Sequence, residues 1–292
     1  MINPKHLTSL VAIAEQGSFS AAGLAIGRSH SAISLHVKAL EEELQTTLVE
    51  RGARRAVLTS DGEALADHAR RLQQVMDDIR TVGRRDSLAG RLAVGFVPTA
   101  MAHTAPPALA QLRQKHPDLG IEIRTGLSGE LAQAVRSTEL DAAVLTAPDL
   151  PPEDLATRPI ASEPLVVIAP KALDSDNDTA LLKAHPFIWF SRKTWAGQQI
   201  ERHLLARRIR VRGTMEVDSL EAIEALVRHG LGVSIVPDTG QHSDGLHRVA
   251  FGAPQLVRQL ALMTRANAHK SRLVQALFEA LRASSTGNQT TG

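Results

Sequence analysis

Gly17-Ser-Phe-Ser-Ala-Ala-Gly-Leu-Ala-Ile-Gly-Arg-Ser-His-Ser-Ala-Ile-Ser-Leu-His-Val-Lys-Ala-Leu-Glu-Glu-Glu-Leu44 reads as two short helices joined at Gly27-Arg28-Ser29. Ser29 is placed to cap the second helix by accepting a hydrogen bond from an otherwise unpaired N–H. Beyond it Ile33, Val37, Leu40 and Leu44 recur at helical spacing as one apolar stripe, while Ser31, Ser34, His36 and Lys38 fall on other faces. The second helix therefore opens with small polar residues instead of an apolar plug, which leaves its start free to enter the major groove of DNA. The same pattern also fits an ordinary helical hairpin with a solvated polar face.

The flanking residues extend the unit. Leu7, Leu10, Val11 and Ala14 supply an amphipathic first helix that closes near Gly17. Leu48 to Arg51 and Arg55 to Leu58 read as two short strands around a tight turn at Gly52-Ala53. Three helices and a basic-tipped hairpin make a winged helix-turn-helix. Arg51, Arg54 and Arg55 would then meet phosphates or the minor groove. A surface hairpin with solvated arginines is the alternative.

In order and content these elements closely resemble the amino-terminal domain of LysR-type transcriptional regulators. The resemblance runs through Phe19-Ser20-Ala21-Ala22, Ser29-His30-Ser31-Ala32-Ile33-Ser34, Val37-Lys38-Ala39-Leu40-Glu41, Leu44, Leu48 to Arg51, and Leu58-Thr59 with Gly62. It is dense and collinear. His30 stands where the family usually has Gln, which alters the donor pattern offered to a base edge. Val49 replaces a usual Phe, so smaller core contacts are expected beneath the wing.

Net charge is only +2, from 33 Lys and Arg against 31 Asp and Glu, so local placement rather than a whole-chain basic field must attract DNA. At 292 residues the chain can build two or three domains with substantial cores. The sequence holds no Cys, which excludes disulfides and thiol redox sensing and removes the commonest structural zinc ligand. No apolar run approaches membrane-spanning length and the first twenty residues lack a signal-peptide core, so the expected location is the cytoplasm, with no membrane partner.

After the wing, Ser60-Asp61-Gly62-Glu63 fits a capping box that opens a long helix. Leu65, Leu72 and Ile79 are spaced by sevens, as are His68, Val75 and Val82, giving a heptad seam of roughly three repeats. A helix packed on its own domain explains this segment equally well. The resemblance implies that it is a linker helix pairing two DNA heads, and two heads on a two-fold imply a dyad-related operator.

Beyond a hinge at 83–90 the pattern alternates. Strand 91–97, helix 105–116, strand 120–125, helix 130–137 and strand 141–145 form a first set. A second set runs through strands 164–169 and 187–190, helix 195–206, strand 214–217, helix 219–229 and strand 233–236. Strand 257–264 and helix 270–281 are expected to return to the first set, and residues 285–292 to be disordered. Two α/β lobes place a cleft between them, a common ligand site. Pro98-Thr99-Ala100-Met101, Thr125-Gly-Leu-Ser128 and Asp218-Ser219 lie at strand–helix junctions, where free N–H groups hold anions. Ser128 and Ser219 are also good N-caps, and capping alone can explain them. Trp189, Ser191, Arg192 and Trp195 could present a ring and a guanidinium to a small carboxylate; a core role at the start of its helix is the alternative for Trp195.

The resemblance implies an α+β multidomain chain: a winged helix-turn-helix at 1–59, a linker helix at 60–85, and a periplasmic-binding-protein-like effector domain at 86–292. Lobe one is expected at 91–161 and 265–284, lobe two at 162–264. Ser29, His30, Ser31, Ser34 and Lys38 form the expected recognition surface, with Arg51, Arg54 and Arg55 as backbone or minor-groove contacts. Thr99, Ala100, Ser128, Ser191, Arg192, Asp218 and Ser219 are the expected effector residues; Thr99 and Ser128 match family positions that line the cleft. A small-molecule effector, double-stranded DNA and a homodimer or homotetramer are the implied partners, and RNA polymerase is admitted as another. No cofactor, metal or catalytic residue is expected: no nucleophile elbow or phosphate loop is present, and the twelve histidines do not pair at helical metal spacing beside a carboxylate.

Overall fold

A computed structural model describes residues 2–50, 56–80, 88–150, 152–173, 175–240, 245–266 and 272–287. The chain divides into two units, Met1–Arg85 and Asp86–Gly292.

In the first unit, helix α1 (Pro4–Gln16) is capped by Asn3 and stops at Gly17, whose φ of 66° suits glycine. Ser18 caps α2 (Phe19–Ala25), and Ser29 caps α3 (His30–Leu44) by accepting from the Ala32 N–H at 3.2 Å. Three residues of the expected α3 stripe, Ile33, Val37 and Leu40, are buried with Leu7, Leu10, Ile13 and Ala22, whereas Leu44, at the last residue of the helix, is exposed. Strands β1 (Val49–Glu50) and β2 (Val57–Leu58) pair antiparallel, and Val49 is buried in the same core. Glu41 ties the hairpin to α3, its Oε1 accepting from the Leu48 and Val49 N–H groups at 2.9 and 3.3 Å. Arg51, Arg54, Arg55 and the turn at 52–53 lie outside the described residues.

Helix α4 (Ser60–Arg80) begins one residue earlier in its capping than the capping box implies. Thr59, not Ser60, supplies the cap: its hydroxyl accepts from the Gly62 N–H at 3.1 Å and donates to the Thr47 carbonyl at 2.7 Å. That second bond, available only to Thr59, decides between the two hydroxyls. Gly62 admits no side chain, since a Cβ there would sit 2.1 Å from the Leu48 carbonyl oxygen. Ala66 and Ala69 are buried against the head and Leu65 packs beside them, so Leu65 serves the head's own core rather than the heptad seam. Further along, Leu72, Val75 and Ile79 are exposed. Residues 81–85, with Val82, lie outside the described residues.

The second unit starts with β3 (Gly90–Phe96), the short helix α5 (Pro98–Ala102), α6 (Ala105–Lys115), β4 (Leu119–Thr125), α7 (Ser128–Arg136) and β5 (Ala142–Thr146). Strands β3, β4 and β5 are parallel, as right-handed strand–helix–strand units require. The chain then crosses on β6 (Leu155–Pro170), continues through α8 (Asp178–Ala184), β7 (Pro186–Phe190), α9 (Trp195–Ala206), β8 (Arg212–Val217), α10 (Leu220–Arg228), β9 (Val233–Pro237) and β10 (Leu246–Ala250), and returns on β11 (Val257–Arg265) to α11 (Arg272–Gly287).

Among the described residues the strands form one ladder, β4-β3-β5-β11-β6-β9-β7-β8, with β10 also on β6. The first half of β6 pairs with β11 and the second half with β9 and β10. Two cores flank this crossover, one holding Phe96, Leu131, Leu145 and Leu277, the other Phe187, Ile200, Ile223 and Phe251.

Three expectations change. Leu260, Leu262 and Met263 of β11 sit in the first core, so the strand at 257–264 does return to the first set, and it is the lobe boundary that moves, from 264 to before Val257; the strand joins the sheet it hydrogen-bonds, β5 and the first half of β6. Helix α11 runs to Gly287, and the Ser285 hydroxyl donates back to the Leu281 carbonyl at 2.8 Å, so residues 285–287 are helical, not disordered. Helices α5 and α8, strand β10 and the first half of β6 have no counterpart in the sequence reading.

Candidate functional site

The start of α3 is uncovered by the rest of its own unit: Ser29, His30, Ser31 and Lys38 are exposed and Ser34 is half-buried. Ser29 spends its oxygen on the cap and lies 3.0 Å from the Ser31 hydroxyl, which couples the two. His30 leans on Phe19, ring centroids 5.7 Å apart, so its imidazole has a defined side of approach. Lys38 pairs with Glu42 at 3.5 Å on the exposed face. Leu35, absent from the expected surface, is 65% exposed on this helix.

His36 faces inward. It stacks on His6 at 4.6 Å between centroids, and its Nδ1 lies 2.7 Å from the Ser9 hydroxyl. The Ser9 hydroxyl also lies 3.2 Å from the Lys5 carbonyl, which ties the ring to α1. Burial lowers the His36 pKa, and the charges of His6, Arg28 and Lys5 lower it further.

In the second unit the residues that follow β5 and those at the start of α9 face one another between the lobes. Thr99 and Ala100 follow β3 and are buried; the Thr99 hydroxyl accepts from Arg258 Nη1 at 3.1 Å. Arg258, only 1% exposed, donates through Nε to Glu163 at 2.8 Å, with a second bond from Nη2 to the same oxygen. The pair joins the two crossover strands, β11 and β6, beneath Thr99.

Ser128 opens α7 but does not cap it; Leu127 holds the cap position. Ser128 itself is buried, 3% exposed. A Cβ on neighbouring Gly129 would lie 3.9 Å from the Trp195 indole nitrogen, which places lobe two's Trp195 beside the Ser128 end of α7. Trp195 packs on lobe one's core, across the cleft from its own lobe. A cavity of about 340 Å³ is lined by Pro148, Asp149 and Leu150 from lobe one and by Trp195, Gln198, Gln199 and Arg202 from α9. Its edge is bridged: the Gln199 amide donates to the Ala147 carbonyl at 3.2 Å, and Arg202 pairs with Asp149. On the other side, His103 at the end of α5 acts electrostatically on Glu221 at the start of α10.

The remaining expected residues form a different cluster. Arg192 is held by Glu216 through Nε at 3.2 Å and Nη2 at 2.9 Å, with Glu201 at 3.6 Å, and its guanidinium lies 4.9 Å from the Trp189 ring. The expected Trp–Arg receptor for a carboxylate is therefore already occupied by carboxylates of the same chain. Ser191 donates to Glu216 at 3.4 Å, on the same carboxylate. Ser219 accepts from the Ala222 N–H and donates to Glu221, which accounts for both its valences as a cap; Asp218 is exposed beside it. Arg258 and Glu163 had a readable signal: charged residues at inward positions of apolar strands. Gln199, Arg202 and Asp149 had none, because only the lobe-to-lobe approach brings them together.

A helix-turn-helix head joined to a two-lobed cleft domain defines a DNA-binding regulator with an effector-binding domain. The family model "Bacterial regulatory helix-turn-helix protein, lysR family" matches residues 4–63, and "LysR substrate binding domain" matches residues 85–286. The chain belongs to the LysR family of transcriptional regulators.

Among its relatives is the probable HTH-type transcriptional regulator LrrA of Synechococcus elongatus, 30% identical over 81% of each chain. A probable hydrogen peroxide-inducible genes activator of Mycobacterium avium is 28% identical over 89% of this chain and 87% of the relative. Among solved structures, a full-length OxyR variant from Pseudomonas aeruginosa superposes with a TM-score of 0.76 at 26% identity, covering 97% of this chain and 95% of that one. No described helix is long and apolar enough to cross a membrane.

Proposed function

We propose that two copies of this chain pair through α4 and present two α3 helices to a dyad-related operator, under the control of a small molecule held between the lobes. The observation that carries the pairing is the row Leu72, Val75 and Ile79: apolar, exposed, spaced by three and four, and beyond the stretch that serves the head's own core. The cavity between the lobes, walled by Asp149 and Leu150 on one side and by Trp195 and Gln198 of α9 on the other, supports a ligand there. Thr99, Ser128 and Trp195 would contact that ligand, while Ser191, Arg192, Asp218 and Ser219 support lobe two around it. Peroxide response through a thiol is not carried over from the relatives, since these 292 residues contain no Cys. The reading makes the protein a cytoplasmic regulator with no catalytic step.

Footprinting with the purified full chain, beside light scattering, tests it. Two protected half-sites separated by about one helical turn of DNA, or a multiple, are expected from a dimer or tetramer. A single asymmetric half-site bound by a monomer overturns it. A thermal-shift screen of metabolites, with hits tested for altered footprints, examines the cleft.

A further inference from the structure

Successive residues of α3 turn by about 100°, so Leu35 lies roughly opposite the core stripe of Ile33, Val37 and Leu40. Ser31 is one turn before it and Lys38 one turn after, on the same outward face. A single exposed leucine on a protein surface ordinarily carries no message. This one is fenced by a hydroxyl and an ammonium on the helix whose open end faces DNA, so any base edge that meets Ser31 and Lys38 also meets its isobutyl group.

Most of what the major groove displays is ill-suited to Leu35. The purine N7 and O6 acceptors and the N6 and N4 amino groups would lose water against a butyl group and gain no hydrogen bond. The thymine 5-methyl is the apolar feature of that groove. We propose that Leu35 is a specificity-determining residue that reads a thymine methyl in each half-site, so that part of this regulator's sequence preference is a preference for a methyl group. The proposal rests on α3 being the reading helix.

Full-length protein is used to enrich duplexes from a random pool, and affinity is then measured by fluorescence anisotropy with each thymine replaced in turn by deoxyuridine. This exchange removes only the methyl and keeps base pairing and the O4 acceptor. One thymine per half-site is expected at which uracil weakens binding by about 3- to 10-fold. Leu35→Ala is expected to bind the thymine and uracil duplexes equally at that position, with its salt dependence unchanged. Leu24→Ala, which removes a more exposed leucine from α2, should keep the wild-type discrimination. Wild-type protein indifferent to uracil at every position overturns the inference without any variant. So does undiminished methyl discrimination in Leu35→Ala. A pool that enriches no sequence overturns the operator reading itself and this inference with it.

Discussion

Arg258 of β11 and Glu163 of β6 form an ion pair in the interior of the effector domain, Nε to Oε2 at 2.8 Å, and Arg258 also donates to Thr99 at 3.1 Å. Each partner lies on a different crossover strand, so a single buried contact joins both connections between the lobes to Thr99, just after β3. Such a pair is worth little beyond an apolar substitute, but breaking one side leaves an uncompensated charge. Arg258→Met is expected to cost about 3–5 kcal/mol in urea unfolding. Adding Glu163→Leu should recover most of that loss; equal destabilisation in the double variant would show that the pair itself stabilises the fold.

Asp178, at the start of α8, has a pKa lowered to about 2. Burial opposes ionisation, but bonds from Arg207, the Gly252 N–H and Thr179 outweigh it. Its contribution to stability is complete above the ordinary value of 3.8 and disappears as pH falls through about 2. Wild-type protein should exceed Asp178→Asn by about 2 kcal/mol at neutral pH, with the gap closing between pH 4 and about 2 in chemical denaturation.

His116 is buried in lobe one, and its Nδ1 accepts from the Leu88 N–H at 3.2 Å. Burial lowers its pKa, helped by Lys115 and Arg272. Because the unfolded imidazole takes up a proton near 6.5 and the folded one resists, stability is complete above that pH and falls below it. Thermal melts of His116→Gln should fall less steeply from pH 7 to 5 than those of the wild type.

Val75→Asp places a charge in the exposed seam of α4 without touching the head's core. Sedimentation should show weakened self-association, and affinity for a two-half-site operator should drop by at least tenfold while affinity for one half-site holds. An unchanged oligomer would place the partner surface elsewhere.

His30, leaning on Phe19 at the mouth of α3, is oriented for one base edge. His30→Ala should relax preference at a single operator position at a cost of about 1–3 kcal/mol. A uniform loss across all sequences would make His30 a backbone contact instead.

The head was the most legible part because its signals are local. Ser29, the Ile33–Val37–Leu40 stripe and Gly17 each state a cap, a face or a stop within a few residues. Thr59 was hidden by the more familiar Ser60 and Glu63 spacing, and only the approach of Thr47 chooses between them. In the effector domain, helix α9 was readable at both ends, whereas the first half of β6, with Pro159 and a run of small residues, carries little strand signal and forms because β11 lies beside it. The cleft was least legible. Arg192 looks like a free anion receptor until Glu216, 24 residues away, closes on it, and Asp149 gains meaning only from Arg202.

The pairing of β6 with β11 slips in register between Leu260 and Ala261, opposite Ile160, close to where the ladder passes from one half of the effector domain to the other. An inserted residue sharpens local coiling of a ribbon. The two halves therefore share one continuous spine, most sharply coiled at the single unmatched vertebra, Ile160.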